Sequence, residues 1–270
     1  MMAEGTGAML WCPVEDDDVV VRGGALKSLK SGTNKNVPLM IGWCSEEFKM
    51  FGSIPGFGAP SSRAKSDAYL VSFLRSYYNR TRSMDPDDDE KWKAFALDLF
   101  DLQKDALDDR NAPSDAQSVN IAAATNIFFM FPILETAYAH VEGGGDAYVY
   151  QFDYKSEKWG ASHAIDIAFV FNTFVKASPA ADYLKDFNGD CEKRPEMHSL
   201  AADVGETWTA FARNGDPSND AIGMFPHISS GKIMMMGSGK RAKHTELKIG
   251  SEWDKFQQLD LKIKTYLSTR

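Results

Sequence analysis

Cysteine is sparse in this 270-residue chain: Cys12, Cys44 and Cys191 are the only three. They form neither a CxxC pair nor a dense framework, and any single bridge would leave one thiol over, so the plain reading is three ordinary thiols. Basic charge is also short, with 30 Lys and Arg against 38 Asp and Glu and a formal net charge of -8. General attraction to nucleic acid or to an anionic membrane surface is therefore disfavoured. No continuous apolar run reaches the roughly 18 residues that cross a bilayer. The richest, IAAATNIFFMFPIL from Ile121, is broken by Thr125, Asn126 and Pro132, and no membrane span is expected. The opening MMAEGTGAMLW lacks the basic start and apolar centre of a secretory signal, which makes the cytoplasm the default location if Met1 is the true start. The histidines His140, His163, His198, His227 and His244 form no HExxH and no compact ligand spacing, so neither a metal nor a cofactor is expected.

What is present suits a globular chain with a sizeable core and one or two domains: 43% hydrophobic, 12% aromatic and 25% charged residues. VPLMI from Val37 and AYVYQF from Ala147 read as buried strands, being near-continuous apolar or β-favouring runs bounded by polar turns. ALKSLK predicts a short helix stopped by Gly32, and Tyr69, Phe73 and Tyr77 share one face of a helix starting near Lys65. In MDPDDDE, Asp88 or Asp89 is expected to cap the helix that follows. A helical region from about Val119 to Val141 should break near Pro132, where an amide is lost. Leu200 to Arg213 predicts another helix; IMMMG and HTELKI suggest extended segments, and SEWDKFQQL a terminal helix. Helices between buried strands favour an α/β layer architecture.

Two places carry chemistry. VPLMIG runs into WCSEEF, so Glu46 and Glu47 follow the C-terminal end of a strand, where sites form in open α/β sheets. His163 lies in WGASHAIDIAF, where a loop of small residues passes into an apolar segment. A carboxylate from the first place could fix the tautomer of the imidazole from the second. A nucleophile is harder to find. No GxSxG occurs; Ser162 in GASHA lacks the final glycine, Ser45 merely adjoins the acids, and HISSG at 227–231 reads as a turn. GSGK from Gly237 fails the phosphate-loop spacing.

Four stretches, taken in order, resemble one family. WCPVEDDDVVVRGGALKSLKSGTNKNVPLMIGWCSEEFKMF is similar to its approach to the acidic triad member, ATNIFFMFPILETAYAHVEGGGDAYVYQFDY to its next helix and strand, WGASHAIDIAFVF to its histidine loop, and WTAFARNGDPS to a late helix and turn. The chain thus resembles the C-terminal half of the type-B carboxylesterases, a family that includes cholinesterases and related non-catalytic adhesion proteins. The resemblance implies a partial α/β-hydrolase fold over residues 1–270, the C-terminal half of a mostly parallel sheet flanked by helices. It implies a truncated fragment whose partners would be a missing N-terminal half bearing the nucleophile and a small carboxylic-ester substrate. Glu47 takes the acid's place and His163 the histidine's. Asp166 stands where the family usually has glutamate, Phe48 where it has a small residue, and Trp43, Phe48 and Asp166 are candidates for shaping the site. Trp43, Phe48, Phe51, Phe57, Phe128 and Phe129 are candidate pocket aromatics. The expectation is a segment that supplies acid and histidine but is inactive alone; the alternative is a non-enzymatic interaction module or pseudoenzyme of the same fold.

Overall fold

The computed structural model describes residues 24–53, 58–78, 86–156, 159–173, 195–238 and 243–269. The chain divides into two compact units, one drawn from Glu15–Phe51 and Pro132–Lys248, the other from Gly52–Phe131 and Ile249–Arg270.

The first unit holds the sheet. Helix α1 (Ala25–Lys30) ends at Ser31, and Gly32 then takes a left-handed φ of 75°. Strand β1 (Leu39–Cys44) starts two residues after the apolar run does, because Val37 is exposed and Pro38 has no amide to donate. Strand β2 (Ala147–Phe152) pairs with β1 in parallel, from Leu39 opposite Ala147 to Cys44 opposite Phe152. Strand β3 (Lys232–Ser238) pairs with β2 in parallel, and β4 (Lys243–Lys248) returns antiparallel on β3. The order is β1-β2-β3-β4, so the sheet is mixed. Gly42 allows β1 to lie close to β2: a Cβ there would stand 2.4 Å from both the ring and the carbonyl oxygen of Tyr150.

Among the described residues the further α-helices, in chain order, are α2 (Arg63–Tyr77), α3 (Pro86–Asp109), α4 (Ala116–Thr125), α5 (Phe131–Glu142), α6 (Ile165–Val170), α7 (Pro195–Asn214) and α8 (Ser251–Ser268), and of these α6 and α7 pack on the sheet. Met197, Leu200, Val204 and Thr207 recur at helical spacing along α7 and are buried. Met197, Leu200 and Val204 join Phe152, Phe169 and Met236 in one core, where each large side chain contributes roughly 1.5–3 kcal/mol by leaving water. Gly215 ends α7 in the left-handed region, donating its amide to Phe211 at 2.8 Å.

The second unit is helical. Trp92, Phe95 and Leu99 of α3 are buried, and Phe131 stacks on Phe256 of α8. Asp115 caps α4 by accepting the amides of Gln117 and Ser118. Asp88 and Asp89 take a different part from the cap expected of them: their carboxylates accept from the buried Arg75 of α2 at 3.1 and 2.8 Å. A buried guanidinium needs counter-charge more urgently than an exposed helix end needs a cap.

The break expected at Pro132 does not occur. A π-helical turn over Asn126–Met130 comes first, in which Phe131 donates its amide to Asn126, five residues back. Pro132 then falls in the first turn of α5, where its missing amide is tolerated. Ala116–Glu142 is consequently a 27-residue helical stretch long and apolar enough to cross a membrane by length and composition, although the sequence shows no unbroken apolar run. More than half of its most apolar window is buried in the protein. Asn120 donates to Ser66, and Asn126 to Gln103 and Glu252, which are the contacts of a core helix.

Candidate active site

The site is built where β1 and β2 end, wholly within the sheet-bearing unit. Cys44 closes β1, and Glu47 opens a 3-10 turn over Glu47–Ser53. Glu47 folds back, so that Oε1 accepts the Cys44 amide at 2.7 Å while Oε2 lies 2.7 Å from Nδ1 of His163. Glu47 is only 3% exposed. Burying a carboxylate is costly unless its oxygens are bonded, and both are bonded here. This contact uses Nδ1, one of the two imidazole nitrogens.

His163 is presented by the loop between β2 and α6. Ser45 donates its amide to Phe152 at 2.9 Å, Glu46 to Ala161 at 2.9 Å, and His163 to the Glu47 carbonyl at 3.3 Å. Ala164 then adopts a left-handed φ of 63°, strained for a residue with a Cβ, and α6 starts at once. The loop is thus stitched to the residues leaving β1, which is why positions 116 apart in sequence meet.

The hydrogen bond to Glu47 pushes the His163 pKa up, against partial burial that pushes it down, with the negative charges of Glu47 and Asp166 adding to the rise. Asp166 accepts from the Tyr150 hydroxyl at 3.0 Å. Burial and then Asp166 raise the Tyr150 pKa, keeping that hydroxyl protonated. Burial, followed by Asp166 and Glu47, likewise raises the Cys44 thiol, so it is no thiolate nucleophile.

Glu47 and His163 are therefore brought together, with Asp166 three residues beyond the histidine. Trp43 and Phe48 are buried. The ring beside the imidazole is Phe51, 5.5 Å away between centroids, and Phe48 packs behind it at 5.1 Å. Phe128 and Phe129 belong to the helical unit, and Phe57 lies outside the described residues. Of the serines weighed from sequence, Ser162 has an enclosed Oγ without a hydrogen-bond partner among the described residues, and Ser45 donates to Asp153.

Other histidine and carboxylate pairs compete for attention. His244 Nε2 lies 3.1 Å from Asp203, a dyad tying the edge strand β4 to α7, with only 10% of the histidine side chain exposed. His227 lies 2.7 Å from Ser229 through Nδ1 and 3.6 Å from Asp146 through Nε2. That Ser-His-Asp array fails as a relay. Nε2 accepts the Ala147 amide at 3.2 Å and Nδ1 the Ser229 amide at 3.3 Å, so both ring nitrogens are held by backbone donors. The neighbouring open groove of about 700 Å³, lined by Tyr148, Asp216, Asp220, Met224, Phe225 and His227, lies by the N-terminal end of β2. Sites in open α/β sheets form at the other end, where Glu47 and His163 are. Among the described residues, no group of three or more His, Cys, Asp or Glu side chains is disposed to hold a metal ion.

Known proteins agree with this architecture. The carboxylesterase family model matches residues 1–257. A Geobacillus stearothermophilus carboxylesterase solved at pH 6.8 is similar over 93% of this chain and 45% of its own, with a TM-score of 0.60 and 21% identity. A PNB esterase is similar over 87% and 40%, with a TM-score of 0.58 and 20% identity. Mouse carboxylesterase 5A is 26% identical over 140 residues, 47% of this chain and 22% of its own length. The medium-chain fatty acyl-CoA hydrolase precursor of Anas platyrhynchos is 29% identical over 106 residues, 36% of this chain and 17% of its own length. The chain thus spans less than half the length of these solved structures, and its aligned stretches about a fifth of the curated relatives.

These matches correct the resemblance as first drawn. A family match limited to a C-terminal half, a partial fold, a truncated fragment and a missing N-terminal partner are replaced by a match along nearly the whole chain, in which helices flank a mixed sheet. Buried apolar side chains give each of the two units a core of its own. With residues 1–257 matched and the fold shared over most of its length, the chain belongs to the carboxylesterase family.

Proposed function

We propose that the chain serves the hydrolysis of small carboxylic esters, with Glu47 holding His163 as the base. One observation carries the reading: the 2.7 Å contact between Nδ1 of a partly exposed imidazole and a carboxylate that is 3% exposed. In this chemistry an attacking hydroxyl gives its proton to Nε2 as its oxygen bonds to the ester carbonyl carbon. The same nitrogen then returns the proton to the departing alkoxide. Glu47 fixes the tautomer and stabilises the imidazolium. The His244–Asp203 dyad supports the role less well, because its imidazole is far more enclosed and sits on an edge strand.

A second reading is favoured by a different observation. The sequence contains no GxSxG, Ser162 is enclosed and Ser45 is engaged with Asp153, as befits a non-catalytic interaction module of the same fold. Initial rates on p-nitrophenyl acetate and p-nitrophenyl butyrate separate the two. The enzymatic reading expects turnover that rises with pH as His163 deprotonates and falls at least ~100-fold in His163→Ala. A wild-type rate equal to that of His163→Ala sinks it and supports the interaction module.

A further inference from the structure

We propose that Glu46 is the positioning residue of the histidine loop, fixing its backbone while the adjacent Glu47 fixes the ring. This rests on the assignment of His163 as base and deepens it. Glu46 makes a two-bond clamp on Ala161: its amide donates to the Ala161 carbonyl at 2.9 Å, and its Oε2 accepts the Ala161 amide at 3.1 Å. Ala161 stands two residues before His163.

The preceding residue is shaped to admit this carboxylate. A Cβ at Gly160 would fall 1.9 Å from Glu46 Oε2, and Gly160 has a φ of +62°, so glycine meets both the steric and the conformational demand. Gly160 is anchored in turn by paired amide bonds with Ser156, each 3.1 Å. Lys49 and Lys155 approach the Glu46 carboxylate only to 3.6 Å and are substantially exposed, so water screens them and the clamp rests on the amide bonds.

The loop is thereby held at successive points: Gly160 by Ser156, Ala161 by Glu46, the His163 amide by the Glu47 carbonyl, and its ring by the Glu47 carboxylate. Releasing the second point lets the imidazole drift, and a hydrogen bond weakens steeply once its distance or angle departs from the optimum. Among the described residues, Glu47, Asp166 and the Phe51 ring act on the His163 ring, and none of these is removed by changing Glu46.

The test follows His163 by NMR pH titration in chains with isotopically labelled histidine, with circular dichroism reporting whether each variant folds. Glu46→Ala is expected to make His163 titrate at lower pH than wild type and to lose its downfield Nδ1–H resonance. Glu46→Gln, which keeps an oxygen for the Ala161 amide, restores both, and Gly160→Ala reproduces Glu46→Ala by displacing the carboxylate. Unchanged titration in a folded Glu46→Ala or Gly160→Ala chain, or failure of Glu46→Gln to restore it, overturns the positioning role. Glu47→Gln distinguishes the levels: if it lowers the His163 titration while the position-46 variants do not, only the positioning role falls. If Glu47→Gln leaves His163 unmoved, the base assignment beneath it falls.

Discussion

Glu47→Gln should alter stability in a pH-dependent way, because it removes one charge while conserving volume. The remaining side-chain oxygen can still accept the Cys44 amide, so the buried backbone donor keeps its partner and the change is confined to the His163 contact. Hydrogen bonds to charged groups contribute about 1.5–3 kcal/mol and neutral ones about 0.5–1.5 kcal/mol. The difference is discounted to about 0.5–1 kcal/mol, since the His163 side chain is 41% exposed and water screens its charge. Folding raises the His163 pKa above its ordinary 6.5, so the stabilisation from the imidazolium is fully present below 6.5 and lost as pH rises through the raised value. Urea denaturation of wild type and variant at about pH 5.5 and about pH 8.5 brackets that window. The variant should be less stable by about 0.5–1 kcal/mol at the acid pH, with the gap closing at the alkaline pH. A gap independent of pH, or one that widens as pH rises, refutes the ion-pair account of Glu47 and His163.

Two further substitutions probe the scaffold. Gly42→Ala places a methyl 2.4 Å from the Tyr150 ring and carbonyl oxygen, and should prise β1 from β2, costing at least ~2 kcal/mol in a thermal melt; a melting temperature equal to wild type would mean the strands tolerate wider spacing. Arg75→Ala leaves Asp88 and Asp89 without their buried counter-charge and should cost about 3–5 kcal/mol in chemical denaturation. A loss below about 1 kcal/mol would show that water replaces the guanidinium freely.

The structure also shows which inferences a one-dimensional reading can support. β2 falls on Ala147–Phe152, as its aromatic and β-branched pattern predicts, because that pattern is local. β1 starts later than its apolar run, since strand limits are set by a partner: the first bond, from the Leu39 amide to Asp146, requires β2 to be alongside. Pro132 misled for a related reason. The rule that proline breaks helices assumes an α-helical register, and the π turn before it changes that register. Asp88 and Asp89 have the composition of caps, but Arg75 lies on another helix and its claim on them is invisible in sequence. Glu46 was legible only as one of two acids after a strand; its grip on Ala161 depends on the folded loop.

Residue order alone determined the kinds of groups available: acids after an apolar strand, a histidine before an apolar helix, no Gly-x-Ser-x-Gly, and too few thiols for a disulfide scaffold. Those follow from side-chain chemistry and short-range periodicity, which need no knowledge of what packs where. Only the tertiary fold decided that the Glu47 carboxylate reaches Nδ1 of His163 at 2.7 Å, that the Phe51 ring packs beside the imidazole, and that the Ser162 hydroxyl is enclosed without a hydrogen-bond partner among the described residues. Hydrogen bonds and burial act over a few ångströms, and the parallel pairing of β1 with β2 brings positions more than a hundred residues apart within that range.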